Sequence, residues 1–167
     1  RLPLDQSLHD NLQQLAPKGL VDQVQANWQG TIGNLERFSV KGRGSQLEVA
    51  SRPVESGARP GFSGADVDFD INQSGGLATI GMKSGSIDLP GVFEEKLIGL
   101  DQLSTTVQWK VDGTHTSLSL SNLRFSNADA QGEAHVKWQT TSGDGAARFP
   151  GMLDMQGVLS RVDGTRV

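Results

Sequence analysis

The sequence contains no cysteine, which excludes disulfide bonds, thiol catalysis and Cys-ligated zinc. The absence says little about compartment, because exported proteins can also do without cysteine. Aromatic residues make up 5% and hydrophobic residues 35% of the 167 positions, enough for one core or one lined groove but not two. No basic run or stripe occurs, and the net charge is −4. Affinity for nucleic acid rests mostly on phosphate neutralisation, so this balance argues against a nucleic-acid partner. No apolar run reaches transmembrane length, and no signal peptide is recognisable. The chain starts at Arg1 and stops at Val167 in mid-pattern. Residues 1–167 are therefore expected to be a single β-rich module of a longer protein, whose leader or anchor would lie elsewhere.

What is present is glycine, 21 residues of it, and scattered charge amounting to 20% of the chain, a composition of many turns rather than of disorder. Leu4, Leu8, Leu12 and Leu15 recur at three- and four-residue spacing. They predict one short N-terminal helix over about residues 5–16, capped by Asp5 or Ser7 and stopped by Pro17 and Gly19. Beyond Gly19 the period becomes two. Val24, Ala26 and Trp28 alternate with Gln25, Asn27 and Gln29. Phe38 with Val40, and Leu47 with Val49, mark two further strands. After a Pro- and Gly-bearing loop over residues 51–61, Ala65, Val67, Phe69 and Ile71 alternate with Asp66, Asp68 and Asp70. A turn over residues 72–76 leads to Ala78, Ile80 and Met82.

Residues 86–100 show no clear period. Alternation returns with Leu103, Thr105, Val107, Trp109 and Val111, then with Leu118 and Leu120. Ala130, Gly132, Ala134, Val136 and Trp138 continue it, and Leu153, Met155 and Leu159 close the series. About ten strands joined by short turns predict a mainly β fold with an antiparallel sheet. Trp28, Trp109 and Trp138 each close a strand near a glycine turn, a faint internal repeat of uneven spacing.

Alternation of this kind says that one face meets water and the other does not. Two architectures satisfy it. In a β-sandwich two apolar faces pack on each other and the core is closed. In an open trough the apolar inside is free to take a hydrophobic ligand. Small residues among the large ones on the hidden face, and the scarcity of aromatics, suit the trough without deciding for it. Lipid would suit such a face energetically. Each buried methylene contributes about 0.8 kcal/mol, so ten give roughly 8 kcal/mol before entropic costs, near micromolar affinity.

No catalytic constellation is found. His9, His115 and His135 fall on a helix, a turn and a polar strand face, with nothing to join them. Asp66, Asp68 and Asp70 have the spacing of a calcium motif but lie on a strand, where they spread along one solvent face instead of closing a loop. Glu94 and Glu95 are neighbours and so do not face a common substrate. No nucleophile elbow and no phosphate loop occurs. The expectation is no enzyme, no cofactor and no metal.

Several segments, taken in order, are familiar. They are Leu15-Ala16-Pro17-Lys18-Gly19 leading to Trp28-Gln29-Gly30, Arg59-Pro60-Gly61-Phe62-Ser63-Gly64 before the acidic strand, Asp88-Leu89-Pro90-Gly91-Val92-Phe93, and the stretch from Leu103 to Trp109. Phe125-Ser126-Asn127-Ala128-Asp129-Ala130-Gln131-Gly132, Pro150-Gly151-Met152-Leu153-Asp154 and Leu159-Ser160-Arg161-Val162-Asp163-Gly164-Thr165 follow. Together they resemble the YhdP family of AsmA-like proteins of Gram-negative bacteria over nearly the whole chain. The resemblance implies a periplasmic protein anchored in the inner membrane by a segment outside this stretch. It implies a sheet folded over into a groove, a β-taco, that carries phospholipid between inner and outer membrane and so bears on the outer-membrane permeability barrier. Phospholipid or another acyl-chain ligand, adjoining modules of the same chain and other envelope proteins are the partners implied. The groove lining expected on this basis is Val24, Ala26, Trp28, Phe38, Val40, Val67, Phe69, Ile71, Ile80, Met82, Val107, Trp109, Val111, Leu118, Leu120, Val136, Trp138, Leu153 and Met155. The alternative is a structural or partner-binding β-sandwich with a closed core.

Overall fold

A computed structural model of the chain describes residues 18–31, 34–52, 60–88, 90, 97–140 and 151–163. These residues form one antiparallel sheet of eight strands in which spatial order equals chain order. The strands are β1 (Lys18–Thr31), β2 (Asn34–Val49), β3 (Gly61–Asn72), β4 (Gly75–Asp88), β5 (Ile98–Asp112), β6 (His115–Ser126), β7 (Ala130–Gln139) and β8 (Met152–Val162). Strands in substantial contact are all sequence neighbours, so the described sheet is a single open layer with β1 and β8 as its edges. The helix expected near residues 5–16 lies outside the described residues.

Among the described residues eight strands stand where about ten were expected. The pairs Phe38/Val40 and Leu47/Val49 belong to one strand, β2, and the aperiodic stretch 86–100 contains the end of β4 and the start of β5. The cause is a set of phase slips. Gln46, Ser84 and Asn122 hold φ values of 53°, 55° and 53°, and Gly64 holds 77°. A left-handed residue inside a strand is a β-bulge that turns the following side chains to the other face. Apolar residues that had been spaced by two are spaced by three across each slip: Gly44 to Leu47, Phe62 to Ala65, Leu120 to Leu123. Ladder registers shift between Gly44 and Leu47, between Ser63 and Ala65, and between Leu120 and Leu123. Polar groups satisfy the backbone there. Asp66 accepts a hydrogen bond from the Gln46 N–H at 3.0 Å, and the Thr105 hydroxyl donates to the Ser121 carbonyl at 3.2 Å.

The hairpin turns have local causes too. At the β3–β4 turn Asn72 Oδ1 accepts from the Ser74 N–H, and at the β6–β7 turn Asn127 Oδ1 accepts from the N–H groups of Asp129 and Ala130. The buried apolar residues gather mainly in one region, while Ala78, Thr105 and Thr140 are buried outside that cluster. Ala65, Met82 and Leu100 form the core, packed against by Leu47, Phe62, Val67, Ile80, Ile87, Ile98, Leu103 and Phe125. No large side chain among the described residues is fully buried, as expected where a single layer has no second layer on top of it.

Candidate apolar binding face

The ladder registers collect the apolar residues into rows that run across the strands. One row takes a residue from each strand in turn: Ala26, Val40, Ile71, Gly76, Trp109, Leu118, Trp138 and Leu153. The next is Val24, Gly42, Phe69, Ala78, Val107, Leu120, Val136 and Met155. Eight strands at about 4.8 Å spacing make each row roughly 34 Å long. Beyond them Val67 pairs with Ile80, and Leu47, Ala65, Met82, Leu103, Phe125, Gly132 and Leu159 form a further row from β2 to β8. On the other side of the first row stand the pairs Trp28–Phe38 and Val111–Thr116. Every residue expected to line the face therefore stands on one side of the sheet.

Their exposure differs widely. Met82 is buried, whereas Val24, Trp28 and Val111 are about half exposed, and Leu153 and Met155 on the edge strand are mostly exposed. The expected set omitted Leu47, Phe62, Ile87, Ile98, Leu100, Leu103, Leu123 and Phe125, which extend the face past the bulges or pack onto its core. The signal that would have found them is the three-residue spacing itself, since a break from two to three inside a strand marks a bulge.

Three aromatic rings lie across a glycine of the neighbouring strand. Phe69 pairs with Gly42, Trp109 with Gly76, and Phe125 with Gly132. A Cβ placed on those glycines would come within 2.6 Å of Phe69 Cζ, 2.4 Å of Trp109 Cζ2 and 3.1 Å of Phe125 Cε1. The rings thus lie down on the sheet instead of standing up from it, which keeps the face low and smooth. This is the aromatic cover of a sheet glycine.

The opposite face is polar and is tied by cross-strand ion pairs. Lys41 meets Asp70 at 2.9 Å, Arg124 meets Glu133 at 3.2 Å, and Arg43 holds both oxygens of Asp68 at 2.7 and 3.2 Å. The hydrogen bond from Arg43 to Asp68, and then the charge of Asp68, raise the Arg43 pKa above its ordinary value. The Asp66, Asp68 and Asp70 series is thus spent on a bulge N–H, an arginine and a lysine. His135 pairs across the ladder with Gln156, and His115 lies beside the Thr140 hydroxyl, 3.3 Å from its Nδ1. A concavity of about 1140 Å³ opens on this polar face, where Lys83, Arg124, Glu133, His135 and Gln156 contribute side chains. The apolar face, in contrast, is a broad surface, and nothing among the described residues encloses it.

No described helix is long and apolar enough to cross a membrane. Among comparisons with known proteins, the family model described as "YhdP protein" matches residues 1–167. No curated protein and no solved structure matches the chain.

Proposed function

The chain belongs to the YhdP family, and from that premise we propose that its apolar face is one wall of a groove that holds the acyl chains of phospholipid in transit between the inner and outer membranes of a Gram-negative envelope. The observation that carries the reading is the continuity of the rows. Two apolar rows cross all eight strands without a charged residue. Isolated exposed apolar residues are ordinary, but a contiguous apolar surface of this extent is a binding surface.

The role is binding, not catalysis, and it is exercised in the periplasm by a protein held at the inner membrane through a segment outside this chain. The edges β1 and β8 carry exposed apolar residues, Leu20 and Val21 on one and Met155, Val158 and Leu159 on the other. Such edges support continuation of the sheet by adjoining segments of the same protein. Those segments would supply the enclosure that one open layer lacks.

Lipid extraction and mass spectrometry of the chain purified from its native envelope test the reading. Phospholipid is expected with the wild-type chain and is expected to be lost in Val107→Asp, which sets a carboxylate in the middle of a row while circular dichroism stays unchanged. Equal lipid in both preparations would place any bound lipid elsewhere and leave a structural or partner-binding role for this face as the better account.

A further inference from the structure

All three tryptophans of the chain stand at one end of the apolar face. Trp109 and Trp138 flank Leu118 in the same row, joined by direct ladder pairs. Trp28 pairs with Phe38, which lies two residues beyond Val40 of that row, a displacement of about 7 Å toward the turns. This is the end of the β3–β4 turn at Gln73 and Ser74 and of the β5–β6 turn at Gly113 and Thr114. The His115, Thr116 and Thr140 hydrogen-bonded group stands there as well, with Thr140 Oγ1 accepting from the Thr116 N–H at 3.0 Å. The opposite end has no tryptophan among its described residues. It is aliphatic, with Phe62 and Phe125, and it is where Ala65, Met82 and Leu100 are buried.

An indole is an apolar ring with one N–H donor, and it settles where hydrocarbon gives way to ester and water. A face with indoles at one end and a closed aliphatic cluster at the other is therefore graded along its strands. Resting on the groove reading above, we infer that the tryptophan end is the subsite for the glycerol-ester level of a bound phospholipid. The headgroup faces out past the turns and the acyl chains lie over the rows toward the bulges. Trp109 is fixed in this position by Gly76, whose lack of a Cβ lets the indole lie flat. The ligand class follows from the gradient: a molecule with an ester-bearing polar end and long chains, rather than a free hydrocarbon with no polar end to align.

The chain has three tryptophans and no tyrosine, so its ultraviolet emission reports on this end alone. Phosphatidylethanolamine carrying a nitroxide quencher either beside the ester or at the chain terminus is loaded onto the full chain, and bound lipid is counted by mass spectrometry. The ester-side label is expected to quench most of the emission and the terminal label little of it. A second reporter, Phe62→Trp in a background of Trp28→Phe, Trp109→Phe and Trp138→Phe, is expected to reverse that order. Equal quenching by both labels, or the opposite order, in the wild-type chain with lipid bound overturns the orientation and leaves the groove standing. Absence of bound lipid overturns the groove reading itself and this inference with it.

Discussion

At the bulged end of the apolar face, side chains disappear from solvent: Ala65 is 0%, Met82 5% and Leu100 6% exposed. At the turn end of the same face Trp28 remains 52% exposed. Both ends lie on strands that alternate over most of their length, so alternation by itself does not account for the difference. The slips do. Ala65 follows Gly64 directly, and Met82 stands two residues before Ser84. A bulge bends its strand and increases the local twist, and residues on either side of it, such as Met82 and Ile87 of β4, meet in one cluster. Alternation thus decides which side of the sheet is apolar, and the slips decide where that side closes on itself. The closed end is expected to carry stability and the open end ligand.

The largest effect tests that division directly. Met82→Ala removes a buried side chain from the closed end and should cost about 2–3 kcal/mol, within the usual range for such truncations. Trp28→Ala at the open end gives up an aromatic pair with Phe38 and should cost about 1 kcal/mol or less, while reducing the phospholipid retained by the chain. Urea denaturation followed by circular dichroism measures both. Similar costs for the two variants would mean that the ends do not differ as their exposure indicates.

A smaller effect separates two glycines of β4. Gly76 lies beneath the Trp109 ring, and Gly81 has nothing within 4 Å of its would-be Cβ. Gly76→Val should lift the indole and cost about 1–3 kcal/mol through overpacking, with a shift in Trp emission. Gly81→Val should be neutral or stabilising by up to about 1 kcal/mol, since a β-branched residue favours a strand. A neutral Gly76→Val would show that the flat seating of the ring is incidental to the face.

Much of this was legible beforehand. Val67, Phe69, Ile80, Val107 and Val136 alternate with polar residues in the sequence, and the ladders bring them to one side of the sheet; their expected role as a groove lining came from the family resemblance. The strand count was not legible, because Gln46 and Ser84 give no local sign that they adopt left-handed backbone. Only the changed spacing around them does, and read without that key it looks like a strand end or an irregular stretch. Leu100 and Phe125 were missed for the same reason. Single openness was also beyond composition, since a sandwich and an open layer share one alternation until the partners of each strand are known. The polar face was easier in part: the acidic series was read as a solvated strand, although its cross-strand partners Lys41 and Arg43 lie 29 and 25 residues from Asp70 and Asp68 and are invisible to local pattern.

Ser84 allows the slip itself to be tested. Its φ of 55° disfavours a β-branched side chain, so Ser84→Val should cost about 1–2 kcal/mol. Ser84→Gly should change stability by less than about 0.5 kcal/mol, because relief of the left-handed backbone is offset by the greater freedom of glycine in the unfolded chain. Should both variants behave alike in thermal unfolding, the slip would not be what the closed end depends on.

The smallest effect belongs to the face behind the open end. Lys41 and Asp70 are both about half exposed or more and meet directly across the β2–β3 ladder. Such a pair gains little in water, because high dielectric and side-chain entropy consume most of the attraction. Lys41→Ala should therefore cost about 0.2–1 kcal/mol, and a double-mutant cycle with Asp70→Ala should show the coupling shrink as salt is raised. Lipid retention should be unchanged, since Val40 and Ile71, which pair across the same two strands on the other face, are untouched. A loss of lipid in Lys41→Ala comparable to that in Trp28→Ala would tie the polar face to the ligand and end the separation of roles between the two sides of the sheet.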